Sequence, residues 1–253
     1  MPTVITQEAH IVGINYRHSD KFDLILTVPY ILQSTDHIRR VGTPFTLESK
    51  GLSDLALTAN YSAFRYGSSS VVVSAGLSAP SGSIDKTGDT PRGKDTQLPY
   101  AMQIGSGTWE LHPGITIASG LQSWTFGATL DSIIRLGEND RDYALGDELA
   151  FTAWSNYDLS SRIQLAAHVR GEFWDGINGQ DSEVNPRIAP VADPATYGGC
   201  QAEIGASARF YWLPHVYDDF FIELGGAVPL WQDLNGPQPR QEWEFTFAFG
   251  FGF

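Results

Sequence analysis

The stretch "WEFTFAFGFGF", residues 243–253, decides the fold. Its odd positions, Trp243, Phe245, Phe247, Phe249, Phe251 and Phe253, are all aromatic, while the even ones, Glu244, Thr246, Ala248, Gly250 and Gly252, are polar or small. Successive side chains leave a pleated strand on opposite sides, so a period of two marks a β-strand whose faces see different surroundings. One face of this strand meets an apolar medium. The other meets small and polar groups.

Working back through the chain, the same alternation recurs in "AHIVGINYRH" (9–18), "FDLILTVPY" (22–30), "DLALTANYSA" (54–63), "SSVVVSAGLSAP" (69–80), "WELHPGITIA" (109–118) and "SWTFGATLD" (123–131). It continues in "ELAFTAWSNYD" (148–158), "RIQLAAHVRGEFW" (162–174), "QAEIGASARFYW" (201–212) and "DFFIELGGAVPLW" (219–231). Eleven strands and no helix are expected. The connections alternate as well: short at 18–21, 66–69, 119–123, 159–162 and 214–218, long and rich in Gly, Pro, Asp and Asn at 33–51, 81–106, 137–147, 176–199 and 232–240. Short turns at one end and long loops at the other describe a transmembrane antiparallel β-barrel of the outer-membrane type, treated as one domain over 1–253.

A soluble sandwich or lipocalin-like barrel would also alternate. The heights of the aromatics separate the two readings. With each strand oriented by its turns, Tyr30, Trp109, Phe173 and Trp243 fall near the long-loop end. Tyr16, Phe22, Tyr61, Trp124, Tyr157, Phe210, Trp212 and Phe253 fall near the short-turn end. Two aromatic belts flanking an aliphatic band are what two membrane interfaces select. Phe253, ending an aromatic strand, reads as the C-terminal signal for barrel assembly, so lipid and the assembly machinery are the expected partners.

Composition limits the alternatives. A net charge of −13 and no basic run longer than Arg39–Arg40 exclude a nucleic-acid partner, which requires a clustered cationic face. The lone Cys200 forms neither an intrachain disulfide nor a thiolate metal site. No run of about eighteen apolar residues offers a helical span, and "MPTVITQEAH" lacks the basic and apolar regions of an export signal. The first and last strands both run toward the short-turn side, whereas single-chain bacterial barrels pair an even number of antiparallel strands. A twelfth strand and an export signal upstream of Met1 are therefore expected, with an odd barrel closed by one parallel pair as the alternative.

The stretches "FDLILTVPY" (22–30), "KGLSDLALTANYSAF" (50–64), "SAGLSAPSGS" (74–83) and "MQIGSGTWELHPGITIASG" (102–120) resemble the outer-membrane family named for the meta-pathway of phenol degradation, with Ser53 and Ala79 departing from its usual spelling. The resemblance covers most of the first half. It implies an exported barrel that passes small organic molecules, aromatic or apolar ones among them, and it carries over no catalytic residue.

The inward face is the candidate functional surface. It carries Arg17, Asp23, Asp54, Glu110, His112, Asp131, Gln164, His168, Arg170, Glu172, Glu203, Arg209, Glu223, Glu242 and Glu244. Acids outnumber bases, which favours a water-filled, cation-preferring pore. Alternatively the charges pair across a narrow lumen and fill it, with Arg170 and Arg209 paired to Glu172, Glu203 and Glu223. Inward glycines, among them Gly76, Gly127, Gly205 and Gly250, are read chiefly as relief for curved strands.

Catalysis is not expected. No G-x-S-x-G motif accompanies His112 or His168, and isolated inward histidines are more often hydrogen-bonded than metal-ligating, so neither a metal nor a cofactor is assigned. A sealed barrel acting through its outer loops is the second reading, and a hydrolase the third. The acidic residues of "SGSIDKTGDTPRGKDTQ" (81–97) are too irregularly spaced for an EF-hand. "NPRIAPVADPATYGG" (185–199) has the apolar residues to fold inward as a constriction.

Overall fold

The computed structural model describes residues 2–37, 45–90, 93–186, 190–212 and 220–251. In chain order the strands are β1 (Pro2–Ser19), β2 (Phe22–His37), β3 (Phe45–Leu52), β4 (Leu55–Tyr66), β5 (Ser69–Ala79), β6 (Thr87–Thr90), β7 (Gly93–Gln97) and β8 (Trp109–Leu121). They continue as β9 (Trp124–Leu136), β10 (Tyr143–Ala144), β11 (Glu148–Ser160), β12 (Ile163–Trp174), β13 (Asn178–Gly179), β14 (Gly199–Tyr211), β15 (Phe221–Leu234) and β16 (Glu244–Gly250). One curved sheet holds twelve of them in the order β1-β2-β4-β5-β8-β9-β11-β12-β14-β15-β16, with β3 also on β2.

β3 and β4 are two halves of one span. Tyr30 pairs with Leu52 and Thr27 with Ala56, so both halves lie on β2 and the break falls at Ser53–Asp54. Every neighbouring pair is antiparallel and nearly every connection joins adjacent strands, giving an up-and-down all-β meander of eleven spans. Two-residue turns close the hairpins β1–β2, β4–β5, β8–β9 and β11–β12. Gly67 and Gln122 take left-handed φ values of 56° and 55° in two of these turns, the conformation that lets a tight hairpin follow the strand twist. The expected turn at 214–218 and Phe253 both lie outside the described residues.

The strands run further than local alternation indicates. β2 continues to His37 and β3 starts at Phe45, so the expected loop at 33–51 is mostly strand. Small polar residues conceal it: Gln33, Thr35 and Ser49 are buried on the inner face, and Ser49 Oγ donates to Gln33 Oε1 at 3.1 Å. β9 likewise passes Asp131 to reach Leu136.

The sheet is inside out compared with a soluble domain. Its large apolar side chains stand exposed on the outer face, with Phe245 at 64%, Phe247 at 58% and Phe249 at 65%. Its inner face carries Ser, Thr, Asn, Gln, Glu and Arg. In water such a surface would aggregate. In a bilayer it is matched by lipid, while antiparallel ladders satisfy the backbone groups that hydrocarbon cannot.

The compact apolar core lies in the loops instead. Tyr100, Tyr143, Ile177, Val184 and Ala192 form one buried cluster with Leu145 and Tyr197 packed on it; Leu47, Leu98 and Met102 form another beside Phe45. β1 and β16 run in the same direction, and among the described residues no ladder joins them. Side chains on both their faces are largely exposed.

Candidate functional site

Polar residues on the inner face form a belt just below the loops. Arg135 on β9 is its most enclosed charge, with a side chain only 6% exposed. Its Nε is 3.2 Å from Glu110 Oε1 on β8, and its Nη2 is 2.7 Å from Glu148 Oε1 on β11. Its Nη1 donates to the Gly146 carbonyl. His112 Nε2 approaches Glu110 Oε2 at 3.2 Å. Next along the sheet, Arg170 on β12 lies 3.1 Å from Glu172 and 3.7 Å from Asp131. Gln201 Nε2 donates to Glu172, and Gln241 Nε2 donates to the buried Glu203, each at 3.1 Å.

Two further groups occupy the same face. Near the short-turn end Arg209 Nη2 is 2.7 Å from Glu223 Oε2, Ser207 Oγ donates to Glu223 at 2.6 Å, and the guanidinium lies 4.3 Å over the Phe221 ring. Across β2, β4 and β5, Asn60 Nδ2 donates to Asp23 at 2.9 Å while Ser74 Oγ donates to Asn60 Oδ1 at 2.7 Å. Adjacent inward side chains on antiparallel strands are a few ångströms apart, close enough for such pairs to form along the wall.

Bulky inward side chains are seated over glycines. Trp154 faces Gly127, His168 faces Gly205, Phe221 faces Gly250 and His112 faces Gly76, each as a direct register partner. A Cβ on Gly127 would be 2.6 Å from Trp154 Cζ2, one on Gly250 2.5 Å from Phe221 Cε1, and one on Gly205 would overlap the His168 ring. Room for a neighbour therefore accounts for these glycines more directly than strand bending does. The rings lie along the wall.

Above the belt the long connections fold together as a cap. Arg141 joins three of them through Asp85 at 2.6 Å, Asp181 at 3.1 Å and Glu183 at 3.1 Å. Hydrogen bonding to Asp85 and Glu183 raises the Arg141 pKa despite the opposing effect of burial. Tyr100 stacks edge-on with Tyr143 at 4.8 Å and with Tyr197 at 5.7 Å. Burial pushes the Tyr197 hydroxyl up to about 12 and raises those of Tyr100 and Tyr143. From the 185–199 stretch, Ala192 and Tyr197 pack into this cap. An apolar niche between cap and wall is lined by Ile5, Leu47, Ala101, Met102, Val191 and Pro239, so connections from both halves of the sheet meet over its outer end.

The structure brings Glu110 and His112 together, and likewise Asp131, Arg170, Glu172 and Glu203, and Arg209 with Glu223. It leaves Arg17 of β1 exposed opposite Asp23 of β2, Glu242 in the segment before β16, and Glu244 at its exposed start, accepting from Thr246 Oγ1 at 3.2 Å. Tyr16, Tyr30, Trp109, Trp124, Phe173, Trp212 and Trp243 are exposed; Phe22 is half-buried, 6.3 Å from His18. Trp124 packs on Tyr157 at 4.6 Å. Among the described residues no group of His, Cys, Asp and Glu is arranged to hold a metal.

Sequence reading missed Arg135, Glu148, Gln201, Gln241 and Trp154. Extending the alternation past Asp131 would have found Arg135, which shares the parity of Asp131. Trp154 shares the parity of Glu148 and Thr152. Trp231 was hidden differently: a register shift between Ala202 and Glu203 pairs them with Trp231 and Pro229, so Leu230 and Trp231 are both exposed.

Among solved structures the chain is similar to an outer membrane channel from Pseudomonas putida F1, at 13% identity and a TM-score of 0.65, over 98% of this chain and 82% of that one. It is also similar to the NanC porin, at 10% identity and a TM-score of 0.48, over 99% of this chain and 100% of that one. Among curated proteins none matches. The first likeness gives the fold, that of an outer-membrane β-barrel. The chain belongs to the family described as "Putative MetA-pathway of phenol degradation", whose model matches residues 3–192.

Proposed function

We propose that this protein is an outer-membrane channel through which small solutes pass passively, with a modest preference for cations. The observation that carries the reading is the belt beneath the cap. Five carboxylates, Glu110, Asp131, Glu148, Glu172 and Glu203, stand there with two guanidiniums, Arg135 and Arg170. Such an excess attracts cations and repels anions. Seating Trp154, His168 and Phe221 along the wall keeps those rings out of the middle of the passage, while the cap restricts it to small molecules.

The family's description and the inward aromatics Trp154, Tyr211 and Phe221 favour small aromatic or apolar compounds as solutes. Lipid on the outer face and the barrel-assembly machinery are the corresponding partners. A largely sealed barrel acting through its loops is the second reading, favoured by the buried cap core. Swelling of proteoliposomes in small neutral and cationic solutes tests the choice. Swelling that is faster for cations supports the channel, and none from correctly folded barrels supports the sealed form.

A further inference from the structure

We propose that Asp54 is a positioning residue for passage: its carboxylate clasps the connection between β5 and β8 and so holds the cap over the outer end. The proposal rests on the channel reading for its effect on flow, but the clasp itself is independent of that reading.

Asp54 occupies the break between β3 and β4, where the span leaves regular pairing. Its Oδ1 accepts the Gly82 N–H at 2.8 Å, and its Oδ2 accepts the Ser106 N–H at 2.7 Å and the Ser106 hydroxyl at 2.8 Å. Gly82 lies just after β5 and Ser106 just before β8, so one carboxylate ties both ends of the same connection. Hydrogen bonds to an ionised acceptor are roughly twice as strong as neutral ones.

Neighbouring groups close around it. Ser53 Oγ donates to the Ile104 carbonyl at 2.6 Å, Ser81 Oγ to the Ser53 carbonyl at 3.2 Å, and the Leu55 N–H to Ser81 Oγ at 2.9 Å. Gly82 and Gly105 cross backbone to backbone: a Cβ on Gly82 would be 2.7 Å from Gly105 Cα. The next connection docks on the same point through Asn139 Nδ2, which donates to the Ser106 carbonyl at 3.1 Å. Between its clasped ends the connection contributes Leu98, Tyr100 and Met102 to the cap's buried clusters. Three separate sequence stretches, "GLSDL" (51–55), "SAPSGS" (78–83) and "IGSGTW" (104–109), thus meet at one carboxylate.

The test uses Asp54→Ala, Asp54→Asn and Ser106→Ala in barrels whose folding is verified by heat-modifiable migration. Amide exchange over residues 83–105 reads the clasp, and single-channel conductance reads its effect on passage. Asp54→Ala should raise loop exchange by about tenfold, the scale set by losing hydrogen bonds to a charged group, and should enlarge the conductance step. Asp54→Asn and Ser106→Ala should fall between it and wild type. Asp20→Asn, in a turn at the opposite end, should change neither readout. A folded Asp54→Ala or Ser106→Ala barrel with unchanged exchange overturns the clasp. Looser loops with unchanged steps in a conducting barrel overturn the link to passage. Looser loops in barrels that never conduct, wild type included, sustain the clasp and refute the channel reading.

Discussion

Trp154 lies over Gly127, its register partner on the neighbouring strand, so closely that a single added methyl would meet the indole. The indole Nε1 reaches Thr129 Oγ1 at 3.4 Å, which aligns the ring with the wall. Gly127→Ala must displace the ring and also crowd the Ile117 carbonyl, 2.5 Å from the new Cβ, and for the ring the open direction is inward. The expected outcome is a smaller conductance step and a loss of about 1–3 kcal/mol in stability, the usual cost of overpacking. Trp154→Ala should enlarge the step. Single-channel recording of the two variants checks the opposite signs.

Arg135 holds Glu110 and Glu148 together in an enclosed site. Removing one partner of a buried charge set costs about 3–5 kcal/mol, because the remaining charge loses both its partner and its water. Arg135→Gln should lower barrel stability by that order in urea unfolding from detergent micelles. The double variant Glu110→Gln with Arg135→Gln should recover part of the loss.

In the cap, the partners of Arg141 are unequal. Asp181 is 3% exposed, whereas Asp85 and Glu183 are 69% and 63% exposed. Exposed pairs contribute little, typically below about 1 kcal/mol. Protease sensitivity of the loops should therefore rise strongly in Arg141→Ala, which leaves the buried Asp181 without its counter-charge, and hardly at all in Asp85→Asn.

The cap's tyrosines fix the sign of its alkaline behaviour. An unfolded tyrosine loses its proton near its ordinary value of 10.0, while Tyr197 in the cap keeps it to about 12. Between those values the unfolded chain binds fewer protons than the folded one, so stability falls as pH rises. The contribution is complete below about pH 10 and is lost by about pH 12. Absorbance titration at the tyrosinate band should show a late-titrating set that Tyr197→Phe diminishes.

Most of the barrel was legible in the sequence, because a wall with lipid on one side imposes a strict period of two. "WEFTFAFGFGF" shows it over its whole length, and "FDLILTVPY" departs from it at the inward Ile25. The reading faltered where both faces become polar, as at Gln33–Ser34–Thr35, and where a bulge breaks parity, as at Leu230–Trp231. The cap left no periodic trace. Tyr100, Tyr143 and Tyr197 are isolated in loops rich in Gly and Pro, and their contacts join residues as far apart as Tyr100 and Asp181, whose N–H donates to the Tyr100 hydroxyl at 3.1 Å. Inward carboxylates could be placed on a face by parity, and the Arg170–Glu172 and Arg209–Glu223 pairs were among those expected; the pairing of Glu110 and Glu148 was hidden because Arg135 lies beyond the point where β9 was expected to end.

Charge in the belt beneath the cap should set the ion preference of the passage. That preference is read from the reversal potential of the reconstituted barrel in a planar bilayer under a potassium chloride gradient, with wild type compared to Glu172→Gln and Glu203→Gln. Discrete conductance steps are expected, with a reversal potential of cationic sign that shifts toward zero in both variants. Anion selectivity, or a cation preference that neither substitution changes, would rule out the belt as the source of selectivity.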